Sequence, residues 1–440
     1  MSVKPANKAG YCGTAQRVLL LITAFFVLAV SPARSQFMRR AHWGDVTRPL
    51  PAGAGEAIVR RACTSCHGYT QIFRVNFDRQ DWEQTVNTMV GWGAPVDKKE
   101  IPVLVDYMAE NFKRAGGGGV VVPGAVEATI KEWELPTQFS MPHDVVFGSR
   151  SGFIWVTEQF GNALARFDLK SQQFKEYKLR GPLSGPFTLT EDKQGNLWFT
   201  TQIGGFIGRF DPKTGDVKRY PFPGPKSTTH PSSIATDARG NIWFCVESGD
   251  PPLFPTRSAI GRLNPKTGEV KYAHTPTPNS ALYDIALNAD GVPFFTERDS
   301  PKLGSIDPET MEIKEYPLPN PKIGTRRLTI TPDGVVWYTD DLRGYLGRFD
   351  PKNGKFTEWA SPSGPRSAPY GITHVGDIIW YSESESNPNM LVRFDPTTEK
   401  FQTWPVKSGG GIKDIWAQPD GNLVLTRPRT NGIAYVEITK

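Results

Sequence analysis

Leu197-Trp198-Phe199 belongs to a set of seven short β-patterned runs. The others are Ile154-Trp155-Val156, Ile242-Trp243-Phe244, Pro293-Phe294-Phe295, Val336-Trp337-Tyr338, Ile379-Trp380-Tyr381 and Leu423-Val424-Leu425. Their central residues lie 43, 45, 51, 43, 43 and 44 positions apart. A period near 44 built from short strands marks propeller blades of four strands each.

Other signals keep the same period. Phe210-Asp211-Pro212-Lys213-Thr214-Gly215 and Phe349-Asp350-Pro351-Lys352-Asn353-Gly354 are tight turns, with weaker copies at Asp168, Asn264, Asp307 and Asp395. An outer-strand aromatic recurs at Trp133, Tyr177, Tyr220, Tyr272, Tyr316, Trp359 and Trp404. The first of these precedes the first blade's inner strands, while Ile433 to Ile438 reads as a third strand lacking a fourth. Residues 126–440 are therefore read as an all-β seven-bladed β-propeller in which strand 128–135 closes the last blade and removes the open edge.

Upstream, Gly116-Gly117-Gly118-Gly119 cannot be the interior of a regular element, so 115–125 reads as a linker. Residues 55–114 carry a helical pattern. Ala57, Ile58 and Ala62 lead into a cysteine motif; a helix from Arg79 to Val90 follows Asp78 and shows Trp82, Val86 and Met89 on one face. A third helix is expected after Asp97, with Glu100 at the capping-box position and Ile101, Leu104, Val105, Met108 and Phe112 as its stripe.

The motif is Cys63-Thr64-Ser65-Cys66-His67. Its spacing is that of covalent c-type haem attachment, with thioethers at Cys63 and Cys66 and His67 as proximal iron ligand. A zinc knuckle would need two more ligands, and Cys12 and Cys245 are far away in sequence. Cys245, in an apolar strand, reads as a buried inert thiol. Met89 and Met108 are the candidates for the distal iron ligand. Packing accounts for Met108, whereas Met89 ends its helix, so Met89 is preferred.

Residues 1–35 hold Lys4, Lys8 and Arg17, an apolar run from Val18 to Val30, then Ala33 and Ser35, the pattern of a secretory signal peptide. Residues 36–54 read as an extended arm. The leader contributes four Lys or Arg and no acid, leaving 47 basic against 45 acidic residues. That balance gives no basis for nucleic-acid binding, and no second apolar stretch of membrane length follows the leader. The expected location is the periplasm or another exported compartment, with a periplasmic redox partner and a small-molecule substrate as expected partners.

Residues 55–114 resemble the small monohaem cytochrome c domains that accept electrons from periplasmic dehydrogenases. The phrases Pro369-Tyr370-Gly371-Ile372, Gly195-Asn196-Leu197-Trp198-Phe199-Thr200 and Glu315-Tyr316-Pro317-Leu318-Pro319 resemble the repeat of the virginiamycin B (streptogramin B) lyase family. That likeness implies a Mg2+ ion and a histidine general base in the propeller mouth. The starts of first strands and the ends of second strands share one end of the channel. They mark His143, Tyr283, Arg327, Tyr370 and Lys413, with Phe187 and Ser232, and Glu158, Glu247, Glu297, Asp340, Glu383 and Arg427, with Thr201. His143 is the position for the base and Glu158 for the metal. The long interval 248–258 in blade three is a candidate lid or docking surface. These features imply a haem-binding electron-transfer protein with a substrate- or partner-binding propeller. The alternatives are a metal-dependent lyase, or a propeller dehydrogenase that reduces its own haem.

Overall fold

The computed structural model describes residues 49–439 except 66–68, 70, 71, 73–76, 113–122, 125, 182, 223–229 and 248–257. The leader, Cys66, His67 and nearly all of the blade-three interval lie outside the described residues, as does most of the linker. Among the described residues no helix is long and apolar enough to cross a membrane.

The strands form seven four-stranded antiparallel sheets. In six of them the four strands are consecutive in sequence, and in the seventh the strand Glu127–Glu134 is hydrogen-bonded to Gly432–Thr439 over its whole length. The ring is thus closed by a pairing between the two ends of the propeller sequence, which gives the last blade its outer strand and covers the edge of Gly432–Thr439.

The recurrent aromatics explain the blade packing. Trp155 lies 5.6 Å from Tyr177 in its own blade and 5.5 Å from Phe210 in the next, and Trp337 repeats this with Trp359 at 5.7 Å and Phe394 at 5.9 Å. Each tryptophan fills the seam between two sheets. The next residue along packs on the other face, where the third strand must be flat. A Cβ on Gly208 would stand 2.1 Å from the Phe199 ring, and one on Gly347 2.0 Å from that of Tyr338. Glycine is required there because the aromatic ring lies across the neighbouring backbone.

Among the described residues three α-helices stand ahead of the propeller, α1 (Glu56–Ala62), α2 (Arg79–Gly91) and α3 (Ile101–Asn111). They enclose one apolar cluster that includes Val59, Ala62, Trp82, Val86, Leu104, Val105 and Met108. Asp78 and Asp81 form a reciprocal capping box at the start of α2, with Asp78 Oδ1 accepting from the Asp81 N–H at 2.9 Å. The start of α3 differs from the expectation. Glu100 stands at the cap without a side-chain cap bond, and its carboxylate accepts the Asp97 N–H at 2.9 Å, so half of the box forms one turn early. Tyr107 ties α3 to the preceding chain by donating its hydroxyl to the Pro51 carbonyl at 2.6 Å.

Candidate functional site at the head of the propeller channel

In six blades the pairing of first and second strands slips at one place. The steps are Pro142/Val145, Pro186/Leu189, Pro231/Ile234, Leu282/Ile285, Thr325/Leu328 and Pro369/Ile372. Two successive residues then face a single partner, as His143 and Asp144 face Thr157. A bulge of this kind re-aims side chains that strict alternation would send to opposite faces. Both residues of the pair therefore contribute to the channel.

The bulged N–H groups are satisfied by a hydroxyl belt. Thr157 Oγ1 accepts the Asp144 N–H at 2.9 Å and donates to the Phe187 carbonyl of the next blade at 2.7 Å. Thr296, Thr339 and Thr426 repeat both bonds, and Thr200 and Ser382 hold equivalent positions. In blade three the belt position is Cys245, whose Sγ lies 3.7 Å from the Asp284 carbonyl. Burial, followed by Asp284 and Glu247, pushes this thiol well above its ordinary range, so it stays protonated.

Two layers meet on the axis. In the upper one His143 stacks on Phe187 at 3.7 Å, Phe187 meets Tyr283 edge-on at 6.4 Å, and the Tyr283 and Tyr370 hydroxyls touch. In the lower one the Arg327 guanidinium binds Asp144 and lies 3.8 Å from Asp284 and 3.6 Å from Asp414. Each of those aspartates also accepts a backbone N–H, Asp144 from Leu189, Asp414 from Val145 at 3.0 Å and Asp284 from Leu328 at 2.9 Å. One cation among three buried carboxylates leaves an excess of negative charge. Burial accordingly raises Asp144 to about 6 and Asp414 to about 8, against the opposing pull of Arg327.

His143 is 2% exposed, and its Nδ1 lies 2.9 Å from Asp144. Burial, with Arg327 and Lys413 adding repulsion, holds its pKa well below the ordinary value, so the imidazole is neutral at pH 7.

The structure divides the expected mouth residues. His143, Tyr283, Arg327, Tyr370 and Lys413 converge on the axis, with Lys413 Nζ 4.0 Å from the centre of the Tyr370 ring. Glu158, Glu297, Asp340, Glu383 and Arg427 turn to other partners. Glu297 bonds Ser300, Asp340 bonds Arg343, Glu383 bonds Ser363 and Arg427 bonds Glu132. Glu158 packs against Gly161 near Ser140, and burial, with Glu176 next, raises it to about 7. The residue that faces the mouth is the following one. Gln159 and Gln202 are hydrogen-bonded at 2.7 Å, Glu247 lies 3.6 Å from Arg298, and Asp341 binds Arg326 at 2.7 Å.

Among the described residues no three His, Cys, Asp or Glu side chains form a group that could hold a metal ion. Glu158 faces away, and the axial carboxylates close on a guanidinium. This donor set does not fit Mg2+.

For haem, the described residues fit at three points. Cys63 follows α1 directly and packs, half-buried, against the apolar helical cluster. Trp82 Nε1 is buried in that cluster with no hydrogen-bond partner among the described residues, leaving a donor for a polar edge such as a propionate. Met89 is half-buried at the end of α2, whereas Met108 is fully enclosed in the core.

The helical unit sits on the mouth loops of blades one, six and seven. Trp92 Nε1 donates to the Phe139 carbonyl at 3.2 Å, and its ring meets Phe160 edge-on at 4.9 Å. Asn387 donates to Asp81 at 2.5 Å, and the Arg429 guanidinium lies 4.5 Å over the Phe77 ring. Beneath this seam Arg429 pairs with Glu385 at 2.5 Å.

A closed seven-bladed ring with two layers of inward-facing side chains defines a channel-bearing propeller of the lyase type. The chain belongs to the virginiamycin B lyase family, whose model matches residues 120–251 and 254–440. The helices lie outside that match. A solved streptogramin B lyase is 25% identical over 71% of this chain and 98% of its own, with a TM-score of 0.63. Virginiamycin B lyase from Staphylococcus aureus, solved with quinupristin as a catalytically inactive histidine-to-alanine variant, is 25% identical over 70% of this chain and 99% of its own, with a TM-score of 0.62. Hydrazine synthase from Kuenenia stuttgartiensis is 13% identical over 70% of this chain and 97% of its own at a TM-score of 0.55, a likeness of fold alone. No curated protein sequence matches the chain.

Proposed function

We propose that the chain is an exported c-type haem protein that transfers electrons, with a propeller that binds its substrate or redox partner. Cys63 and Cys66 hold the haem, His67 is its proximal ligand and Met89 its distal one. Bound haem supplies a one-electron centre. The observation that carries this reading is the Cys63-Thr64-Ser65-Cys66-His67 motif, whose first cysteine directly follows α1 and packs on the helical core. Docking of α2 on the mouth loops supports a second element, that whatever the channel binds lies close to the helical unit.

The test is the absorption spectrum of the exported full-length protein. Reducible c-type bands are expected, along with loss of covalent haem in Cys63→Ala/Cys66→Ala; bands unchanged in that double variant would sink the assignment. Haem reduction on adding a metabolite would make the propeller the oxidising site.

Family membership favours a second reading, elimination in a cyclic depsipeptide. Linearisation of quinupristin by the haem-free double variant would support it. Against it stands His143, buried beneath the mouth, where a base must reach substrate.

A further inference from the structure

Among the described residues the cations at the head of the channel have partners, with one exception. Arg326 is held by Asp341 at 2.7 Å, Arg429 by Glu385 at 2.5 Å, Arg298 by Asp299 at 2.9 Å, and Arg327 by the axial aspartates. Among the described residues Lys413 makes no ion pair or hydrogen bond through Nζ, which rests on the Tyr370 ring. Its backbone is fixed, since its carbonyl accepts from Arg327 Nε at 2.9 Å and the adjoining Asp414 belongs to the axial cluster.

The titratable groups facing it come from four blades. They are Glu385 on blade six, Arg429 on blade seven, Arg326 and Asp341 on blade five, and the neutral His143 on blade one, with the Tyr370 phenol below. Both acids already serve arginines. Burial outweighs the pull of Glu385, Arg429 and Arg326 push the same way as burial, and the ammonium is lowered to about 7. At neutral pH a large share of the molecules carries a free amine. Lys413 is partly exposed.

We propose that Lys413 is a reactive amine at the head of the channel that condenses with a small aldehyde or ketone to form an imine. The Nζ lone pair attacks the carbonyl carbon, an N–C bond forms, and the C=O π pair moves to oxygen, which takes a proton. A proton then leaves nitrogen and the oxygen departs as water, so the step needs no oxidant. Tyr283 and Tyr370 are the acids at hand. Burial raises both phenols, so they retain their protons at neutral pH.

The test traps the imine. Full-length protein is incubated with propanal and cyanoborohydride between pH 6 and 9, and the alkylated lysines are mapped by mass spectrometry. At pH 7 Lys413 is expected to label at least ten-fold faster than exposed lysines such as Lys355 and Lys400. Its rate should reach half-maximum near pH 7. Tyr370→Phe, which keeps the ring, should slow trapping several-fold. Labelling of Lys413 no faster than of Lys355 would overturn the proposal. The comparison of Lys413 with Lys355 reads the wild-type protein alone and does not depend on the haem spectrum.

Discussion

The propeller axis and the helical unit are held together by opposite means. On the axis, one guanidinium answers carboxylates from three blades, all buried. In the helical unit the core is apolar, and the capping box at Asp78 and the ion pairs of Arg61 and Arg79 lie at its surface. Buried charge is stabilising only as a complete set, whereas surface pairs add little each. The axis should therefore fail all at once, and the helical unit by degrees.

The sharpest way to break this contrast is Arg327→Met. It leaves Asp144, Asp284 and Asp414 without their cation, and a loss of about 3–5 kcal/mol in the urea transition of the propeller tryptophans is expected. Asp78→Ala, which removes the α2 cap, should cost about 1 kcal/mol. Equal losses in the two variants would mean that the axial cluster is hydrated and ordinary.

The pH response sharpens the same contrast. Asp414 is raised to about 8 from its ordinary 3.8, so the fold favours its protonated form. Its contribution is fully present below about pH 4 and is lost as pH rises through 8. Asp78 in the helical unit runs the other way. Burial would raise it, but the Asp81 N–H and other hydrogen bonds hold it below its ordinary value, so its contribution is present above about pH 4 and lost in acid. Urea midpoints measured from pH 4 to 8 should fall in the wild type by an amount worth a few kcal/mol relative to Asp414→Asn. Parallel curves for the two proteins would place Asp414 in an ordinary environment.

The limits of reading this channel from the sequence have physical causes. The spacing of the second-strand runs locates every blade, with tryptophan at the centre of five of the seven, because each seam needs a large apolar side chain. Strand starts and strand ends mark one mouth residue per strand, whereas each bulge turns two successive residues to the channel, so Asp144, Asp284, Asp414 and Arg326 escape that reading. The signal was present: His143-Asp144-Val145, Tyr283-Asp284-Ile285 and Lys413-Asp414-Ile415 repeat an aspartate before a β-branched residue. Along the second strands the selected positions were one residue early in every blade but the third. There Glu247 lies one step further along than Glu158 does in its own strand, and it alone of the acids chosen there faces the mouth. A shift of one residue exchanges the faces of a strand. In the helical unit the proposed haem site rests on five residues, Cys63 to His67, because covalent attachment would demand a fixed spacing, and Cys66 and His67 lie outside the described residues.

At the seam between the two regions a smaller effect is expected. Trp92→Ala removes the bond to the Phe139 carbonyl and the edge contact with Phe160. Docking should weaken by about 1–3 kcal/mol, read as faster amide hydrogen exchange across Arg79–Gly91 with the propeller transition unmoved. A matching shift in the propeller transition would show that the helical unit is part of the propeller's cooperative fold.

The smallest effects lie in the hydroxyl belt, where the propeller supplies its own control. Thr157→Val keeps the volume but leaves the Asp144 N–H without its acceptor and the Phe187 carbonyl without its donor, at a cost of about 1–3 kcal/mol. Cys245 already occupies that position with a longer contact of 3.7 Å to the Asp284 carbonyl. Thr restores the group used in the neighbouring blades, and the site is already shaped for a small β-substituted side chain. Cys245→Thr should therefore be within about 1 kcal/mol of the wild type in either direction. A large loss in Cys245→Thr beside a small one in Thr157→Val would mean that blade three is held by its thiol rather than by the belt.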